Sequence, residues 1–225
     1  MRRVNGIHGL ILDYGEVLCH RPGPEKIARM TDALKLDPET FATRYEQGRG
    51  RYDRGDVSFV DYWSTVSAGS VTLDYDLLDQ LRRWDVEMWT DVDHDMTEWL
   101  GRVQTSGLKT AVLSNMHVDM AVYARRTFAW LKPFDSLTLS CEVRLIKPER
   151  AIYERCLKGV ALRPEQALFI DDREVNVLAA RDAGLRALRF ESVERLRSDL
   201  EGLGIRVLPT APDGRGPEGS TEPRA

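Results

Sequence analysis

Asp171 and Asp172 stand side by side after the apolar run Ala167-Leu168-Phe169-Ile170. Adjacent carboxylates at the end of a buried strand repel one another, which raises the pKa of at least one unless a cation neutralises them. Mg²⁺, with hard oxygen ligands and retained waters, is the simplest neutraliser. Asp13 ends a second apolar run, residues 7–12; Ser114 and Asn115 end another, and Lys147-Pro148 opens a helical pattern. A carboxylate with an ordinary pKa of about 3.9 is ionised at neutral pH and serves as nucleophile or metal ligand. Together these residues offer three carboxylates, one ammonium and a hydroxyl. These groups form one convergent polar site if the apolar runs are neighbouring parallel strands, because ligands then bind at the strands' carboxyl ends.

The surrounding pattern supplies such strands. After Asp13, apolar residues recur at three- and four-residue spacing over 24–36, 38–47, 58–67 and 74–87, and Pro24 and Pro38 suit first helical turns. Helices without an intervening strand predict an inserted bundle. Beyond residue 90 the pattern alternates: helices over 93–105, 118–130, 148–159, 174–184 and 193–200, strands over 109–113, 136–140, 167–170, 187–190 and near 205–208. That alternation predicts an α/β fold, a Rossmann-like parallel sheet covered on both faces. The expected division is a discontinuous α/β core of 1–18 and 91–208, a helical cap of 19–90, and a Pro/Gly-rich disordered tail of 209–225.

Composition removes several classes. With 225 residues, 42% apolar and 30% charged, the chain is long and apolar enough to bury a core without disulfides. A net charge of −4 gives no footprint for a nucleic-acid backbone. Cys19, Cys141 and Cys156 lack C-x-x-C spacing and read as reduced thiols. The apolar run near the N-terminus is too short for a signal peptide or membrane span, so a cytoplasmic location without membrane partners is expected. Oligomeric state has no signature in the sequence.

In the order Leu10-Ile11-Leu12-Asp13-Tyr14-Gly15-Glu16-Val17-Leu18, Val112-Leu113-Ser114-Asn115, Lys147-Pro148-Glu149 and Phe169-Ile170-Asp171-Asp172 with Asn176 following, the chain resembles the haloacid dehalogenase-like (HAD) hydrolase superfamily over roughly residues 6–190. The resemblance implies that Asp13 is a nucleophile forming an aspartyl-phosphate. It gives Ser114 and Asn115 the phosphoryl oxygens, and Lys147 the charge on nucleophile and phosphate. It assigns Mg²⁺ to Asp13, the Gly15 carbonyl and Asp172, supported by Asp171 and Asn176. The helical insert then corresponds to the family's mobile cap, and the substrate to a small phosphorylated metabolite.

One position departs from the pattern. Most phosphatases of the superfamily carry a second Asp two residues after the nucleophile as general acid and base; here Gly15 stands there. Losing a general acid lowers rates by about 10²- to 10⁴-fold for leaving groups that need the proton. The Asp-x-Gly-x-Val form resembles the branch of glucose-1-phosphate phosphatase and of the epoxide hydrolase phosphatase domain, which favours a sugar 1-phosphate or another good leaving group. Glu16 is a candidate substitute acid. A 2-haloacid dehalogenase shares the nucleophile and the missing Asp but lacks the acidic pair, and a weakly active phosphate-binding regulatory protein is the remaining alternative.

Other features read as structural. Asp91-x-Asp93-His94-Asp95 lacks the Gly and Glu of a calcium loop and reads as an acidic helix start. Arg49, Arg51 and Arg54 read as solvated charges, and Trp84, Trp89 and Trp99 as packing residues.

Overall fold

The computed structural model describes residues 6–205, so the expected tail and all but Ile205 of the expected last strand lie outside the described residues. The elements run β1 (Gly9–Leu12), α1 (Pro24–Leu34), α2 (Pro38–Arg54), α3 (Phe59–Ser67), α4 (Tyr75–Glu87), α5 (His94–Thr105), β2 (Lys109–Ser114), α6 (Val118–Thr127), β3 (Ser136–Leu139), α7 (Ser140–Val143), α8 (Arg150–Val160), β4 (Ala167–Asp171), α9 (Glu174–Asp182), β5 (Arg186–Arg189) and α10 (Val193–Gly202). The strands form one parallel sheet in the order β3-β2-β1-β4-β5.

Why the strands are apolar throughout follows from this layering. Leu10, Leu12, Val112, Leu168 and Ile170 face one helical layer, while Ile11, Ala111, Leu113, Ala167 and Phe169 face the other. Alternate side chains therefore enter different cores, and neither face is wet. Gly9 is required at the entry to β1, because a β-carbon there would lie 2.7 Å from Leu162 Cδ1 and 2.8 Å from the Lys109 carbonyl oxygen.

Between β1 and α5, helices α1–α4 bury an aromatic-rich core of their own, including Tyr45, Tyr52, Tyr62 and Trp63. Three of the four starts are capped by side chains: those of Asp37, Ser58 and Asp74 accept from the backbone N–H groups of Thr40, Asp61 and Leu77 at 2.9, 3.1 and 2.9 Å. Asp93 does the same for α5 through Met96 N–H at 2.9 Å, so the acidic stretch is a helix start. The chain leaves and re-enters the sheet region through paired segments, with His20 N–H donating to Asp91 O at 2.8 Å and Asp93 N–H to Leu18 O at 3.0 Å.

Some boundaries differ from expectation. The second helix continues past residue 47 to Arg54 and ends on Gly55 in the left-handed region at φ 79°. Gly48 does not stop it; it lets α2 approach α3, where a β-carbon would meet the Tyr62 ring at 3.2 Å. The helix expected over 118–130 stops at Thr127, since Phe128 turns to extended backbone before a short 3-10 turn at Ala129–Leu131. Helix α7 was not legible as a separate turn.

Candidate active site

Register places the polar residues. Leu12 pairs with Val112 on one side and Ile170 on the other, so Asp13 emerges level with Leu113 and Asp171, and Ser114 ends β2. The three central strands thus deliver their terminal residues to one edge, as the crevice rule for parallel sheets requires.

Lys147 ties this edge together. Its ammonium lies 2.7 Å from Asp13 Oδ1 and 2.7 Å from Asp171 Oδ2. The Lys147 main chain is held by Asn115, whose Oδ1 accepts the Lys147 N–H at 2.8 Å and whose Nδ2 donates to the Lys147 carbonyl at 3.0 Å. Asp171 is fully buried and accepts further from Asn176 Nδ2 at 2.9 and 3.1 Å and from Arg173 N–H at 2.9 Å. Asn176 is therefore an interior residue, 4% exposed, that fixes a carboxylate. Asp13 accepts from the Tyr14 N–H at 2.7 Å.

Electrostatics separates the carboxylates. Burial pushes Asp171 up, but Lys147, the Arg173 N–H and Asn176 outweigh it and hold the carboxyl below the ordinary range. Burial pushes Asp13 up to about 7 against the pull of Lys147, with Asp171 adding to the rise. Asp172 is raised by burial, then by Asp171 and Glu16. Burial disfavours the Lys147 cation, yet Asp13 and Asp171 outweigh it and raise the ammonium pKa. Carboxylate oxygens of Asp13, Asp171 and Asp172 lie within 4.8 Å of one another, a spacing and donor set that fit a hard divalent cation. One ammonium balances one carboxylate, and a divalent ion would balance the other two.

These residues open on a cavity of about 540 Å³ lined by Asp13, Gly15, Glu16, Ser114, Asn115, Lys147, Asp172 and Asn176 from the sheet edge. Glu16 sits in the left-handed region at φ 54°, and its carboxylate accepts from Arg21 Nε at 3.1 Å. The wall opposite is contributed by α2, through Tyr45, Glu46, Arg49, Gly50 and Asp53, with Trp89 and His117 beside it.

That second wall went unread in the sequence. Arg49 is not solvated: its guanidinium lies 3.0 Å from Asp53 and 3.0 Å from Asp85, among the rings of Tyr45, Tyr52 and Tyr62. Arg54 pairs with Glu149 and Asp56, whereas Arg51 is exposed. His117 is buried, its ring stacked on Tyr52 with Nδ1 3.3 Å from the Tyr52 hydroxyl and Nε2 3.6 Å from Asp85 Oδ2. Only the i,i+4 spacing of Arg49 and Asp53 was a usable signal. Trp89 is more than packing, since its ring reaches the cavity over Gly15. No helix among the described residues is long and apolar enough to cross a membrane.

The family model described as haloacid dehalogenase-like hydrolase matches residues 10–184. Bifunctional epoxide hydrolase 2 of Rattus norvegicus is 26% identical over 125 residues, 54% of this chain and 23% of that protein. A putative pyrophosphatase of Caldanaerobacter subterraneus is 29% identical over 120 residues, 50% of this chain and 54% of that one. The chain thus spans about a quarter to half the length of these relatives. Among solved structures, a HAD family enzyme of Bacteroides thetaiotaomicron superposes with a TM-score of 0.70 at 20% identity, covering 85% of this chain and 98% of that one. The same enzyme has been solved in complex with magnesium and inorganic phosphate.

Proposed function

The chain belongs to the haloacid dehalogenase-like hydrolase family, and from that premise we propose that it is a Mg²⁺-dependent phosphatase of a small phosphorylated metabolite, with Asp13 as nucleophile. The observation that carries this reading is the convergence of the Asp13, Asp171 and Asp172 carboxylates within 4.8 Å of one another, with the Lys147 ammonium bridging Asp13 and Asp171. Bound among those carboxylates, Mg²⁺ would neutralise phosphoryl charge. Asp13 Oδ attacks phosphorus, forming a carboxyl–phosphate bond while the ester oxygen leaves with the bonding pair. Water then attacks the same phosphorus, restoring the carboxylate and releasing phosphate. Lys147 holds Asp13 aimed and offsets its charge, Asp171 and Asn176 fix Lys147 from behind, and the Ser114 hydroxyl binds a phosphoryl oxygen. The Asn115 amide, spent on the Lys147 main chain, positions that lysine.

The helical insert acts as the cap that excludes water. Gly15 itself supplies no general acid, which favours esters whose oxygen departs readily as an anion, such as a sugar 1-phosphate. Glu16, engaged by Arg21, remains the one acid adjoining that position. The adjacent carboxylates of buried Asp171 and half-buried Asp172 argue against a metal-independent dehalogenase.

Phosphate release from sugar 1-phosphates, sugar 6-phosphates, nucleotides and acyl phosphates, with Mg²⁺ and with chelator, tests the reading. Turnover that survives chelation, or in Asp13→Asn, would overturn it. A second reading, a phosphate-binding protein with little turnover, is motivated by Gly15 and predicts ligand-dependent thermal stabilisation without hydrolysis.

A further inference from the structure

The wall supplied by α2 carries its own chemistry. Residues 45, 46, 49, 50 and 53 recur at helical spacing and face the cavity together. Arg49 is the cation of this stripe, and its Nε and Nη1 are already engaged. Its Nε lies 3.0 Å from Asp53, and its Nη1 lies 3.0 Å from Asp85 and 2.5 Å from the Tyr45 hydroxyl. Tyrosine rings at 4.8, 5.5 and 5.9 Å surround the guanidinium. Two carboxylates therefore share one guanidinium, and Glu46, exposed on the cavity side, adds a further negative charge.

Among the described residues, the other basic groups lining the cavity are His117, Arg21, Arg173 and Lys147. Burial pushes His117 down to about 4, so this ring is neutral at physiological pH. Arg21 is paired with Glu16. Arg173 lines the cavity from the sheet edge, next to Asp172, at the phosphoryl end.

We propose that the α2 wall makes the cavity selective for phosphomonoesters whose leaving group carries no second anion, with Glu46 and Asp53 as the specificity-determining residues and the buried Asp85 of α4 holding Arg49 behind them. The proposal rests on the phosphatase reading and names its substrate class: neutral or cationic leaving groups are accepted, carboxylated or doubly phosphorylated ones rejected. An anion reaching this wall meets like charge in a cleft partly shielded from water. Drawing Arg49 toward itself would also strip the buried Asp85 of its partner, which is strongly unfavourable. An ammonium finds Glu46 and Asp53 instead.

The test compares three esters of one shape and one anomeric leaving oxygen: glucose 1-phosphate, glucosamine 1-phosphate and glucuronic acid 1-phosphate. Expected kcat/KM is lower for the glucuronate by roughly tenfold or more, and for glucosamine equal to or above glucose. Glu46→Gln, a change at an exposed position, should narrow the glucose-to-glucuronate ratio by about twofold, and Asp53→Asn should narrow it further. Glucuronate turned over as well as glucose, or a ratio unmoved by both variants, would overturn the proposal. If none of these esters, nor 4-nitrophenyl phosphate, is hydrolysed, the phosphatase reading falls on its own. Charge selectivity is then read from thermal stabilisation by the three esters, where equal shifts overturn it and a weaker glucuronate shift supports it.

Discussion

The indole of Trp89 covers Gly15: a β-carbon on Gly15 would lie 3.5 Å from Trp89 Cζ3, with Trp89 Cε3 at 4.0 Å. That distance is ordinary van der Waals contact, so alanine fits, but a longer side chain is directed into the ring. The Tyr14 hydroxyl donates to the Trp89 carbonyl at 2.5 Å and tethers the indole's backbone to the residue beside Gly15.

The missing general acid should therefore not be recoverable by one substitution. Gly15→Ala should leave stability within about 0.5 kcal/mol. Gly15→Asp alone should give no gain on an alkyl phosphate, whereas Gly15→Asp with Trp89→Ala should raise alkyl phosphate turnover by about tenfold or more, part of what a general acid supplies. The ratio of alkyl to aryl phosphate kcat/KM checks this, since general-acid help is felt on the poorer leaving group. A gain from Gly15→Asp alone would show that the indole yields.

Lys147 places its ammonium between Asp13 and Asp171 and is itself buried to 4% exposure. Removing one partner of a buried ion pair typically destabilises by about 3–5 kcal/mol, because the other charge is left unpaired. Lys147→Gln should lower the midpoint of chemical denaturation accordingly and reduce turnover by at least about 10²-fold. Asp171→Asn should cost less stability, since the amide oxygen still accepts from Asn176 or Lys147. Equal losses in the two variants would mean that the ammonium is not the organising charge.

Metal linkage separates the acidic group from its supports. If Asp13, Asp171 and Asp172 hold Mg²⁺, the ion stabilises the folded chain by RT ln(1 + [Mg²⁺]/Kd), about 2.7 kcal/mol at a hundredfold excess over Kd. Thermal midpoints should rise with Mg²⁺ in the native protein and stay flat in Asp172→Asn, with Ser114→Ala behaving like the native chain. A rise that survives Asp172→Asn would place the ion elsewhere.

How much of this was legible depended on whether the signal was local. Asp13, Ser114, Lys147 and Asp171 were found because each closes or opens an element, and strand ends on one sheet edge converge whatever the intervening sequence. Helix starts were legible from the apolar spacing, from Pro24 and Pro38 and from the acidic stretch before α5, and in the structure Asp37, Ser58, Asp74 and Asp93 cap them through the N–H three residues on. The α2 wall was hidden for the opposite reason. Gly48 and Gly50 look like helix breakers, but packing against Tyr62 and Ile146 carries the helix through them. Once α2 is extended, Arg49 meets Asp85 from α4, and His117 enters from the loop between β2 and α6; neither pairing leaves a trace in sequence spacing.

His117 also supplies a pH signature. Burial pushes its imidazole from an ordinary 6.5 down to about 4, with Asp85 opposing. As pH falls through 6.5 the unfolded chain takes up a proton that the folded protein refuses until about pH 4. The unfolded state then binds more protons, so this residue removes stability on acidification, by at most about 1.4 kcal/mol per pH unit, and the loss is complete below the folded value. Asp53 acts with the opposite sign. Burial raises it to about 6 against the pull of Arg49, so the folded chain keeps a proton that the unfolded chain releases, and acidification from pH 6 adds stability. Native unfolding curves alone would blur the two contributions. The difference in unfolding free energy between native protein and His117→Gln removes the Asp53 contribution common to both, and it should shift steadily against the native protein from pH 6.5 to 4.5. A difference that stays flat over that range would mean that the buried imidazole accepts its proton without opening the interface between α2, α4 and the sheet.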